Sequence, residues 1–142
     1  MMTQKHQIRW KWLKFMYAYT IILPGITGLT VIFWPELYLT AFQWQPQDQY
    51  LLGITGSMWL SFAILAAFAL RNPLRFLPVL LFQLSYKVIW LSLVVTPLWL
   101  KNELSIHEIV FALTMVTYVI GDLIAIPFAY LFQKETAQSA AG

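Results

Sequence analysis

The sequence predicts an all-α protein, a four-helix transmembrane bundle running antiparallel, up-down-up-down, with both termini on the cytoplasmic side (N-in/C-in). Three observations predict it. The 142-residue chain is 60% hydrophobic and only 11% charged, too apolar for a soluble domain of its size. Four apolar stretches, at about 12–33, 50–70, 77–98 and 106–132, have the length of about 20 residues that crosses roughly 30 Å of hydrocarbon. Lysines and arginines crowd the segments on one side of those stretches. Little sequence is left between or beyond them, so residues 1–142 are expected to form a single integral-membrane domain. The absence of cysteine excludes a disulfide, a thiolate metal site and a thiol nucleophile.

Before the first stretch, Lys5, Arg9, Lys11 and Lys14 alternate with Trp10 and Trp12. Basic residues among aromatics also occur in nucleic-acid binders. Directly ahead of a span, the same mixture is a topology signal with an aromatic belt, so nucleic acid is not an expected partner. The apolar run is too long for a cleavable signal, and no small-x-small cleavage pattern follows it.

Within the first span, Pro24 removes one backbone bond and pushes the chain from the Thr20 carbonyl, while Gly25 and Gly28 permit a close helix neighbour. Pro35-Glu36 ends the span. The segment up to Gln49 is expected to form an interfacial turn or a short amphipathic piece, with Tyr38 and Trp44 as interface anchors. Asp48 suits the N-cap of the second helix. In that helix Gly53, Ser57 and Ser61 recur every fourth residue, a small-residue face expected to pack against a neighbour. Trp59 sits near mid-span, too deep for the belt, so its indole N–H needs a partner inside.

The short basic connection Arg71-Asn72-Pro73-Leu74-Arg75 is expected to make the second and third helices antiparallel neighbours. Lys101-Asn102-Glu103 joins the third helix to the fourth. Ser105-Ile106-His107-Glu108 has the form of a capping box, which gives His107 and Glu108 a structural role. Lys5, Arg9, Lys11, Lys14, Arg71, Arg75 and Lys134 then fall on one side and only Lys101 on the other, which places both termini in the cytoplasm.

Two charges break the hydropathy of the last two spans. Lys87 lies about ten residues from the cytoplasmic start of its helix and Asp122 about ten from the cytoplasmic end of the next, so at 1.5 Å per residue both reach roughly 15 Å of depth. Gln83, Tyr86, Lys87 and Trp90 share one helix face by their spacing, as do Thr114, Tyr118 and Asp122. With Trp59 from the second helix these residues form an expected polar layer. A lone charge at that depth costs about 2.5–3.5 kcal/mol on insertion scales, so the lysine and aspartate are expected to meet as an intramembrane ion pair. Such a pair either fixes helix register and nothing more, or it forms a site that binds a ligand or passes a proton among Asp122, Tyr118 and Lys87.

Other chemistries find less in the sequence. A Schiff base on Lys87 with Asp122 as counter-ion has no specific support, and four spans leave little room for a chromophore. Haem is disfavoured because His6 and His107 fall at opposite surfaces, and no metal cluster, phosphate-binding loop or nucleophilic triad is present, so no cofactor and no metal is expected. Acid–base work by Asp122 and Tyr118 on a lipid or quinone is the remaining enzymatic option.

The Pro-Glu after the first span, the second helix beginning Leu52-Gly53-Ile54-Thr55-Gly56, the Arg-Asn-Pro-Leu-Arg turn and the basic residue in mid-third-helix are together similar to DoxX-like small bacterial membrane proteins of unknown function. The resemblance implies a four-helix bundle in a bacterial inner membrane and carries over no catalytic residue. Two functional classes follow from the residues. One is a transport or ligand-binding protein that takes a small hydrophobic ligand at the Lys87/Asp122 layer. The other is a non-catalytic subunit whose lipid-facing aromatics dock a second copy or another membrane protein, the ion pair being structural. The first requires a cavity beside Lys87; the second requires a closed, dry pair.

Overall fold

A computed structural model describes residues 8–132, and within them the chain is helical with no strand. The elements run α1 (Trp10–Phe33), α2 (Pro35–Phe42), α3 (Gln49–Ala69), α4 (Leu77–Trp90), a π-helical turn (Leu91–Val95), α5 (Thr96–Leu100), α6 (Ile106–Ala125) and α7 (Phe128–Leu131). Four helical stretches are long and apolar enough to cross a membrane: α1, α3, the continuous rod Leu77–Leu100 and α6. Lys5, His6 and Lys134, used above to argue charge bias and haem, lie outside the described residues.

Helix ends follow local chemistry. The Asp48 carboxylate accepts from the Tyr50 and Leu51 amides, capping α3 as its position suggests. Ser105 and Glu108 form a reciprocal capping box on α6. Pro35 occupies the first turn of α2, where its missing N–H costs nothing. The left-handed backbone of Gln43 (φ 51°) ends that helix. The fourth span is shorter than the expected 106–132. Pro127 forces Ile126 into extended geometry (ψ 121°), so α6 stops at Ala125 and a separate short helix follows. Pro97 marks the third rod: just before it the helix widens to a π turn, and the Thr96 hydroxyl donates to the Leu91 carbonyl at 2.8 Å.

The tightest packing in the bundle joins α1 to α3. Gly25 faces Ala63, Gly28 faces the Gly56 and Leu60 backbone, and Val31 packs on Gly56. A Cβ at Gly28 would sit 2.8 Å from the Leu60 amide nitrogen and 2.9 Å from the Gly56 carbonyl oxygen, so only glycine allows this approach. On α1 the expected glycine contact is found. On α3 the face is different: Ser57 and Ser61 are exposed, and a Cβ at Gly53 would meet nothing within 4 Å. Every-fourth spacing selects a stripe but not the direction it points, and here Gly56 marks the buried side.

Helix α6 packs against both α1 and α4, whereas α3 and α4 touch sparsely despite their short connection. The contact between those two is aromatic, Phe62 of α3 lying parallel to Tyr86 of α4 at 5.7 Å between centroids. Their separation opens a cleft whose floor is α6. At one end of the bundle Lys14, Arg71 and Arg75 gather with Trp10 and Tyr130, and the Tyr17 hydroxyl donates to the Pro73 carbonyl at 2.7 Å. Only 28–39% of the most apolar window of each long helix is buried. Ile22, Ile26, Leu93, Leu113 and Leu123 are among the many large apolar side chains left outside, a surface that water does not tolerate and hydrocarbon does.

The glycine geometry yields a stability prediction. Gly28→Val should lower the stability of the detergent-solubilised protein by about 1–3 kcal/mol through overpacking against rigid backbone. Gly53→Ala, facing open space, should change it by about 0.5 kcal/mol or less. Thermal unfolding midpoints of the two variants check the contrast; equal losses would place the α1–α3 contact elsewhere.

Candidate functional site

The polar residues of α4 and α6 meet residues of α1 in one buried layer. Gln83 and Lys87, one turn apart, lie on the inner face of α4, and Tyr118 and Asp122 hold the same relation on α6. Thr20 comes from α1. All five are essentially out of reach of solvent: Gln83, Thr20 and Asp122 are 0% exposed, Lys87 and Tyr118 1%.

A hydrogen-bond chain runs through this layer. The Thr20 hydroxyl donates to Gln83 Oε1 at 3.2 Å, and Gln83 Nε2 donates to Asp122 Oδ2 at 3.3 Å. The Tyr118 hydroxyl donates to the Tyr19 carbonyl at 3.2 Å while its ring stacks on Tyr19 at 4.3 Å. Beside the layer, Gly121 brings α6 so near α1 that a Cβ there would collide with the Met16 sulfur. Thr20 is the site residue that sequence reasoning missed as a side chain. Its position on the buried face of α1, one turn before Pro24, was the available signal.

The expected ion pair is not made in this geometry. Lys87 Nζ has no hydrogen-bond partner and does not come within salt-bridge distance, 4.0 Å, of the Asp122 carboxylate. It lies instead over the Tyr118 ring, 3.9 Å from the centroid, with the Tyr86 ring at 5.0 Å. Asp122 Oδ1 is likewise buried and unpartnered. Spacing along two helices leaves rotation about each helix axis undetermined, and Gln83 occupies the place beside Asp122.

The other expected site residues surround cavities. A cavity of about 170 Å³ adjoins Lys87 and is lined also by Thr27, Thr114, Tyr86 and Tyr118. A larger one of about 820 Å³ fills the cleft between α3 and α4. Trp59, Tyr86, Phe111 and Met115 line both, so the two volumes adjoin across the same side chains. Trp90 belongs to the wall of the larger cavity, edge-on to Phe111, and is not part of the polar layer. Thr114 faces the smaller cavity with its hydroxyl bonded back to the Val110 carbonyl. Val94 and Val95, on the π turn, form the outer wall of the larger cavity, and Gln45, Gln47 and Glu108 stand at one end of it.

Tyr38 is a second departure from expectation. It is 2% exposed, packed between Phe42, Trp44 and Trp59, and its hydroxyl has no partner. Helix α2 thus folds its aromatic face back onto the bundle and roofs the smaller cavity with Phe42. Among the described residues, no three His, Asp or Glu side chains gather to hold a metal ion.

These features define a multi-pass helical membrane protein with a polar layer and an apolar-walled cleft at its centre. Compared with protein-family models, curated proteins and solved structures, the chain matches none.

The hydrogen-bond chain predicts coupling between α1 and α4. Gln83→Leu leaves the Thr20 hydroxyl and the Asp122 carboxylate without a partner and should cost about 1–3 kcal/mol. Thr20→Val should then cost less in the Gln83→Leu background than in the wild type, a non-additivity of at least about 0.5 kcal/mol in a double-mutant cycle. Additive losses would mean that the two side chains act independently.

Proposed function

We propose that this protein binds a small amphipathic molecule inside the membrane, as a carrier or binding protein, with Lys87 as the polar anchor. One observation carries the reading: Lys87, whose fully buried amine has no hydrogen-bond partner, is one of the residues that line a cavity. Moving an ammonium out of water costs several kcal/mol even after relaxation. A desolvated cation–π contact returns about 2 kcal/mol. Two aromatic faces therefore do not replace the lost water, and a ligand oxygen in the cavity would. The volume of about 820 Å³ next to it falls within the range of about 300–1,000 Å³ typical of small-molecule sites. The alternative, a purely structural ion pair in a non-catalytic subunit, requires Lys87 and Asp122 to close on each other, and the open cavity favours ligand binding.

In this reading the protein resides in a bacterial inner membrane as an antiparallel up-down-up-down bundle and is grouped with the DoxX-like proteins it resembles. The gathering of Lys14, Arg71 and Arg75 at one end supports a cytoplasmic placement for that end, with both termini there. The larger cavity then opens toward the periplasmic half, where Gln45, Gln47 and Glu108 lie.

Two experiments follow. The cysteine-free sequence permits single-cysteine labelling in whole cells. Asn102→Cys should react with a membrane-impermeant maleimide from outside and Asn72→Cys only after lysis; the reverse pattern would invert the topology. For ligand binding, native mass spectrometry of gently extracted wild type should show one bound amphiphile per chain. Lys87→Met, which removes the anchor, and Thr114→Trp, which fills the smaller cavity, should each lose it. A wild-type spectrum without added mass, or one unchanged in both variants, contradicts the proposal.

A further inference from the structure

The polar layer holds two unsatisfied ionisable groups, and the proposed ligand site accounts for only one. Lys87 lines the smaller cavity and its Nζ has no hydrogen-bond partner; Asp122 Oδ1, in the same layer, has none either. Both groups are fully buried, so the interior penalises any net charge that ligand binding would leave there. Taken with opposite charges, the empty site is neutral. Adding an anion makes it negative unless a proton arrives with it. Adding a cation, or a polar neutral group lacking an acceptor for the ammonium, leaves Lys87 unsatisfied.

We propose that the ligand is a carboxylic acid with an apolar tail, bound together with one proton that resides on Asp122. This inference rests on the ligand-binding reading above. The balance is simple. The acid enters the cleft from the apolar side as RCOOH; its O–H bond breaks, and the proton passes to the Asp122 carboxylate. The ligand carboxylate then pairs with the Lys87 ammonium. Lys87 and ligand are charged, Asp122 is neutral, and the sum stays zero. Gln83, whose amide nitrogen donates to Asp122 Oδ2, leaves Oδ1 free as the oxygen that takes the proton.

Shape supports the same class. The head of such an acid meets Lys87, Thr27 and Thr114 in the smaller cavity, and its tail lies between α3 and α4 along Leu52, Trp90 and Leu98. The other titratable groups facing this pair are phenols: Tyr17 of α1, Tyr86 of α4 and Tyr118 of α6. Helix α3 brings Trp59 and no ionisable group at this depth. Phenols ordinarily stay protonated below about pH 10, which leaves Asp122 as the group that takes the proton at neutral pH.

Calorimetry on the full chain in lipid nanodiscs tests this, with empty nanodiscs as the blank and lauric acid and dodecanol as probes. Repeating the laurate titration in buffers of different ionisation enthalpy counts the protons taken up. Wild type should bind laurate about tenfold or more tighter than dodecanol, because only the acid forms a charge-assisted contact with Lys87. Near pH 8 it should take close to one proton from the medium per laurate bound. Asp122→Asn should bind laurate with no proton uptake, and Lys87→Met should lose the preference for laurate. The wild-type proton count stands even where a variant fails to fold. Laurate bound without proton uptake, or dodecanol bound as tightly, overturns this inference and leaves the ligand site intact. Binding of neither probe removes the ligand site as well.

Discussion

Lys87 is the constraint around which the interior is arranged. The residue is 1% exposed and lines a cavity; its Nζ lies over the Tyr118 and Tyr86 rings with no hydrogen-bond acceptor in reach. In hydrocarbon such a group is costly whatever the scale used. The bundle answers with aromatic faces and with the Asp122 carboxylate in the same layer. Neither satisfies the three donors of an ammonium. The unsatisfied donors separate this arrangement from an ordinary helix-register pair, where donor and acceptor close on each other.

The scaffold makes the cavity by packing unevenly. Glycines bring α1 and α3 into backbone contact, and α6 is held between α1 and α4. A bundle that closed every helix pair equally would have no cleft. Here α3 is committed to α1 and α4 to α6, so the volume between α3 and α4 stays open and is walled by Trp59, Trp90 and Phe111. The π turn before Pro97 carries Val94 and Val95 to the outer wall, and α2 roofs the inner cavity by folding Phe42 back. Function in this reading is a consequence of which helices were given small residues.

Features of the fold that depend on near neighbours were legible in the sequence. The Asp48 cap, the Ser105–Glu108 box, the glycines of α1 and the four apolar lengths all follow from local chemistry or hydropathy. Features that depend on rotation were not. Gly53, Ser57 and Ser61 share a stripe, yet that stripe faces outward, because periodicity in a helix apolar on every side does not mark an interior. Tyr38 reads as an interface anchor until α2 is seen to fold inward. Pro127 lies inside a run apolar enough to pass for continuous helix, so hydropathy alone does not mark the break after Ala125. For the site, Lys87, Asp122, Gln83, Tyr86, Tyr118, Thr114 and Trp59 stand out in the sequence by charge, depth and spacing; the structure buries Gln83, Lys87, Tyr118 and Asp122 in one layer and sets Tyr86, Thr114 and Trp59 on the wall of the smaller cavity. What spacing on α4 and α6 could not supply was Thr20 from α1, or the insertion of Gln83 beside Asp122.

The most direct measurement is an experimental structure in lipid nanodiscs with native membrane molecules retained. The account predicts elongated density between α3 and α4 whose polar end lies within hydrogen-bond reach of Lys87 Nζ. A collapsed, empty cavity with Nζ bonded to the Asp122 carboxylate would contradict it and leave a structural ion pair in its place.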